Sequence, residues 1–107
     1  MENGIYKVSF ETPLGHGFGI VVISDGTVKG GDSSMYYVGT FKETENQFTA
    51  NLHVRKHSSE PGISSVFGVD DVHLTLQGTS ANTSANVTGN AAEAPSIQFQ
   101  AQLNLLE

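Results

Sequence analysis

A chain of 107 residues without cysteine is the size of one domain and has to fold on apolar burial alone, with no disulfide and no thiolate metal site. Five Lys and Arg stand against eleven Asp and Glu, a net charge of −6, and the one basic cluster is Arg55-Lys56. That balance argues against direct nucleic-acid binding, which needs grouped cations to displace counterions. No apolar run approaches the ~18–20 residues of a membrane span, and Met1-Glu2-Asn3-Gly4 lacks the basic and apolar regions of a secretory signal, so a cytoplasmic location is expected.

Taken in chain order, the pattern is two-residue alternation throughout, with no sustained helical period. Strands are expected near 4–11, 15–24, 27–31, 35–42, 47–57, 71–78, 84–90 and 96–105. Between the second and third, Ser24-Asp25-Gly26 supplies the positive φ of a tight hairpin. Lys42 to Asn46 is a polar turn, and 78–83 and 89–95 are rich in Gly, Ser, Thr, Asn and Pro. The last strand is the clearest: Ile97, Phe99, Ala101, Leu103 and Leu105 share one face, while Gln98, Gln100, Gln102 and Asn104 share the other. One dry and one wet side suit antiparallel strands. The expectation is an all-β fold, an antiparallel up-and-down barrel of about eight strands occupying residues 1–107 as a single domain, calycin-like, since closure removes exposed edges.

The first half alternates less cleanly. Ile20-Val21-Val22-Ile23 is apolar on both faces. With Tyr6, Val8, Phe10, Phe18, Ile20 and Val22 assigned to the interior, Ile5, Val21, Ile23 and Val38 form an outer apolar wall. Each such side chain stabilises by ~1.5–3 kcal/mol when buried, so a cover is expected. The connection 58–69, which carries Ile63, Val66, Phe67 and Val69, is expected to cover part of it, and a second copy of the chain the rest. A filled interior is favoured over a ligand cavity, because the inward set carries few polar anchors.

Candidate chemistry is sparse. His53 and His57 are spaced H-x-x-x-H, but four strand residues span ~13 Å, too far for one ion. His73 could lie across from His53, which is two ligands where a structural site takes four. Asp70 and Asp71 are adjacent and point to opposite faces or cap a strand start. Gly15-His16-Gly17-Phe18-Gly19 has no helix after it to bind phosphate, and its glycines are better explained as space for rings such as Phe10, Phe18 or Tyr37. No catalytic residue, cofactor site or metal site is assigned.

The segments Gly4-Ile5-Tyr6-Lys7-Val8-Ser9-Phe10, Gly17-Phe18-Gly19-Ile20, Gly26-Thr27-Val28-Lys29-Gly30-Gly31-Asp32 and Tyr37-Val38-Gly39-Thr40-Phe41 together resemble the GrlR-like family, small bacterial proteins named for a negative regulator of type III secretion. The resemblance covers the first half of the chain. It implies a calycin-like barrel that forms a homodimer, does no catalysis, and encloses an apolar cavity open to a lipid-like molecule. It also implies that a DNA-binding transcriptional activator is sequestered through an acidic run after the strand ending at Phe41. Here that run reads Lys42-Glu43-Thr44-Glu45-Asn46, which leaves Glu43 and Glu45 as the candidate partner-binding residues. The expected function is therefore a non-enzymatic regulatory binding protein. The alternative is a carrier of a small apolar ligand.

Overall fold

In a meander, each hairpin fixes the next strand's register, and the register decides which side chains face in. The computed structural model describes residues 1–58 and 66–107. Among them run eight strands: β1 (Gly4–Thr12), β2 (Gly15–Ser24), β3 (Thr27–Gly31), β4 (Met35–Thr44), β5 (Gln47–Lys56), β6 (Asp71–Ser80), β7 (Ser84–Ala91) and β8 (Ala94–Leu105). Each pairs antiparallel with the next, and β8 returns to β1 with Tyr6 opposite Leu105 and Val8 opposite Leu103, closing the barrel. The expected all-β, up-and-down architecture is what forms.

The tight turns follow their sequences. Asp25 and Gly26 both take positive φ, the geometry whose twist matches a two-residue hairpin. The β4–β5 turn is Glu45-Asn46, with Glu45 also at positive φ. Alternation placed the inward residues of β5 to β8 correctly: Phe48, Val54, Leu74, Leu76, Val87, Phe99 and Leu103 are all buried.

In β2 the parity is reversed. Val21 and Ile23, expected on the outer wall, are interior at 3% and 0% exposure; Phe18, Ile20 and Val22, expected inside, face out at 60%, 44% and 45%. The cause is the β1–β2 connection. A two-residue loop, Pro13-Leu14, pairs Thr12 with Gly15, so Tyr6 falls opposite Val21, Val8 opposite Gly19, and Phe10 opposite Gly17. Directly paired residues share a face, so even positions of β1 bring odd positions of β2 inside. A three-residue loop would have done the reverse, because one residue of slip moves a whole strand's side chains to the other face. Packing accepts this register. Gly17 lies beneath the Phe10 ring and Gly19 beneath the Tyr37 hydroxyl, where added Cβ atoms would come within 2.8 and 2.6 Å of the respective rings' atoms.

The exposed apolar wall therefore consists of Ile5, Phe18, Ile20, Val22 and Val38, on β1, β2 and β4. Of the connection expected to cover it, Ile63 lies outside the described residues. Phe67 is buried instead in the barrel, its ring stacked 5.4 Å from Phe99. Among the described residues no helix is long and apolar enough to cross a membrane.

Candidate binding cavity and surrounding groups

The reversed parity has a volumetric consequence. With Phe18, Ile20 and Val22 outside, β2 turns Gly17, Gly19, Val21 and Ile23 inward, so glycines stand on this wall where Phe18 would have added a ring. The interior holds a cavity of about 350 Å³ where a filled core was expected. Its deeper lining is apolar, with Val8, Val28, Ala50, Leu74 and Ala101 among the residues. It reaches the barrel end formed by the β1–β2 and β3–β4 connections, where His16, Phe18, Asp32, Ser33 and Ser34 contribute.

That end is organised by Asp32. After Gly30-Gly31, the chain leaves β3 and the Asp32 carboxylate accepts the Ser34 and Met35 backbone N–H groups at 2.9 and 2.8 Å, an Asx-type turn. The other carboxylate oxygen accepts the Tyr37 hydroxyl from β4. Burial, reinforced by the hydrogen bond and negative charge of Asp32, pushes the Tyr37 phenol well above the usual tyrosine range, so it remains a donor. His57, just past β5, donates through Nε2 to the Asp32 carbonyl, 2.9 Å away; since a carbonyl only accepts, this nitrogen carries the proton. The connection is tied down by the Thr12 hydroxyl, which donates to the Val66 carbonyl at 2.6 Å. Among the described residues no fully buried side-chain nitrogen or oxygen lacks a hydrogen-bond partner.

The opposite end is closed by the start of the chain. Tyr6 is fully buried and donates its hydroxyl to the Glu2 carbonyl at 2.6 Å. Glu43, expected as an exposed partner-binding residue, lies on the inward parity of β4 and is half-buried. Its carboxylate accepts the Met1 amino group and the Ser80 hydroxyl, the latter at 2.6 Å. Burial works against its charge, but these two donors outweigh it and hold the carboxyl below its ordinary range. Glu45 remains exposed on the turn. The two glutamates expected to act together are thus separated by the end of β4: Glu43 is still in the strand and braces the barrel, while Glu45 has left it for the turn and meets solvent.

The histidines also separate. His53 lies directly opposite His73 on β6, whereas His57 is at the Asp32 end, so the H-x-x-x-H pair does not converge. Asp71 joins His53 and His73 on the outer face, and Asp70 pairs with Lys56 at 3.8 Å. Asp32 and Glu93 were given no site role from sequence, and Tyr37 only that of a ring over the glycines of β2, a role it fills at Gly19. The Asp-Ser-Ser that follows two glycines is a turn-capping pattern that could have pointed to Asp32; nothing local shows that Tyr37 reaches Asp32 or that Glu93 reaches His73.

No protein-family model matches the chain, and no curated protein gives a significant match.

Proposed function

We propose that this protein is a non-enzymatic binding barrel that holds a small apolar, lipid-like molecule in its interior. The cavity of about 350 Å³ carries the reading. Its size falls at the lower end of the ~300–1,000 Å³ typical of small-ligand sites, and an apolar lining with polar groups gathered at the mouth is the usual pattern. Of the titratable lining groups, Asp32 and Tyr37 are bonded to each other, and His16 packs edge-on against Phe18. Native mass spectrometry of gently purified protein should reveal a bound apolar species, or binding of an added fluorescent fatty-acid analogue. Ala101→Leu, which adds bulk to the lining, should weaken that binding; a barrel that takes up no apolar probe would end the reading.

A second reading rests on the exposed wall. Ile5, Phe18, Ile20, Val22 and Val38 form an outward apolar surface of the kind that marks interaction sites. The resemblance to the GrlR-like family would make this a homodimer interface, and would add sequestration of a DNA-binding activator, with Glu45 the exposed acidic residue left to contribute. Sedimentation should show a dimer that Ile20→Glu dissociates, and Glu45→Lys should weaken capture of a basic DNA-binding regulator from the same genome. A monomer at all concentrations would remove the dimer from this reading.

A further inference from the structure

Away from the cavity, on the outer face of β5 and β6, two imidazoles and two carboxylates meet. His53 and His73 are direct cross-strand partners, with rings stacked at 4.3 Å and 15°. Asp71 lies two residues before His73, hence on the same face, and its Oδ1 is 2.5 Å from His53 Nε2. One donor atom from each of His53, Asp71 and His73 lies within 4.8 Å of the other two. We propose that these three residues form a surface site for a first-row divalent transition ion of the zinc class, with Glu93 as the positioning residue for His73.

The donor set selects the ion class. Two imidazoles and a carboxylate suit zinc, nickel or copper, whereas magnesium and calcium call for oxygen ligands. The distances are near those required. Bonds of ~2.0–2.2 Å in a tetrahedron hold neighbouring donors roughly 3.3 Å apart. The His53–Asp71 contact must therefore open by less than about 1 Å, and the widest separation close by about 1.5 Å. The stacked rings must also tilt so that their in-plane lone pairs converge. His53 and His73 have side chains 37% and 63% exposed on the outer face, and ring torsions of this kind are broad, which leaves room for the tilt.

Glu93 is the feature that distinguishes this cluster from a chance surface grouping. It sits in the β7–β8 turn and grips one residue twice: Oε1 accepts the His73 backbone N–H at 2.7 Å, and Oε2 lies 2.6 Å from His73 Nδ1. A carboxylate only accepts, so Nδ1 carries a proton, and once the ion displaces the ring's other proton the ring presents its lone pair at Nε2. A carboxylate holding the far nitrogen of a ligating histidine is the common outer arrangement of metal sites. Arg55 completes the surroundings. Its Nε is 3.7 Å from Asp71 Oδ2, the oxygen that does not face His53, leaving Oδ1 for the ion. The fourth position is open to water.

The test uses protein without an affinity tag, titrated with Zn²⁺ by calorimetry near neutral pH and followed by ring-nitrogen NMR. The expected result is one saturable zinc per chain, with the His53 and His73 rings shifting and those of His16 and His57 unmoved. H53A and H73A should each weaken binding at least tenfold, and H57A should leave it unchanged. E93Q should weaken it about tenfold and alter the His73 tautomer signature, a change that loss of a merely structural contact would not produce. Far-ultraviolet circular dichroism of each variant confirms the barrel. Absence of saturable binding, binding that survives both histidine substitutions, or shifts confined to His16 or His57 would overturn the proposal.

Discussion

Val21 and Val22 are adjacent, identical in chemistry and equal in strand propensity, but the β1–β2 register sends one inside and the other out. Truncating each to Ala therefore isolates burial. Val21 is 3% exposed, and deleting its two methyl groups removes ~1.6 kcal/mol of transfer free energy at ~0.8 kcal/mol per group. Because Val21 already borders the cavity, the lost-contact penalty is smaller than in a solid core, and the total should be about 2 kcal/mol. Val22 is 45% exposed, so its truncation should cost about 0.5–1 kcal/mol, mostly in lost strand preference. In a protein stable by ~5–15 kcal/mol the difference is measurable as separate urea midpoints at an unchanged m-value. Repeating the titration at several protein concentrations separates any cost of Val22 that arises in a dimer, since that part grows with concentration. If Val22→Ala equals or exceeds Val21→Ala at the lowest concentration, the register is wrong by one residue, and the explanation of the cavity falls with it.

Three further outcomes are expected. Tyr37→Phe removes the donor to the half-buried Asp32 carboxylate and should cost about 1–3 kcal/mol by chemical denaturation, while in the wild type the raised phenols of Tyr6 and Tyr37 should resist ionisation in an ultraviolet pH titration until the barrel unfolds; ordinary titration of all three tyrosines would contradict the burial described. Glu43 has a depressed folded-state pKa, so its contribution is present above the ordinary value of 4.5 and lost as pH falls through the lower folded value. The stability gap between wild type and Glu43→Gln, about 1–2 kcal/mol near neutrality, should shrink on acidification, and a gap independent of pH would refute the ion pair with the Met1 amino group. In the metal-free protein, hydrogen bonding to Glu93 raises the His73 pKa above 6.5, and hydrogen bonding to His73 lowers Glu93 from 4.5 to about 2. The pair's contribution is thus complete between pH 4.5 and 6.5, fading below as Glu93 protonates and above as His73 loses its proton; NMR titration should place His73 above 6.5, and Glu93→Gln should return it.

The later strands were legible because each carries its own answer. In β8 the apolar residues occupy one parity and the glutamines the other, so only one orientation buries the former and wets the latter. β2 carries no such asymmetry. Ile20 to Ile23 satisfies either face, and the choice passed to a loop length that alternation does not encode. The same ambiguity hid the cavity, because the parity that Ile20 to Ile23 leaves open also decides whether Phe18 or the glycines at 17 and 19 face in. Glu43 and Glu45 failed as a pair for a related reason: both look like turn charges in the sequence, but strand pairing runs through Thr44, and parity turns Glu43 toward the barrel end.

What the chain's own order of residues determined was the all-β class, the number of strands and the tight turn at Asp25-Gly26, since periodicity and φ requirements act over a few neighbouring positions. What only the closed sheet decided was which side of β2 is dry, how much space remains inside, and which distant side chains become partners. Asp32 with Tyr37, Glu43 with Ser80, and His73 with Glu93 are cross-strand or turn-to-strand contacts. Their geometry is set by register, and register is a property of paired strands rather than of any one of them.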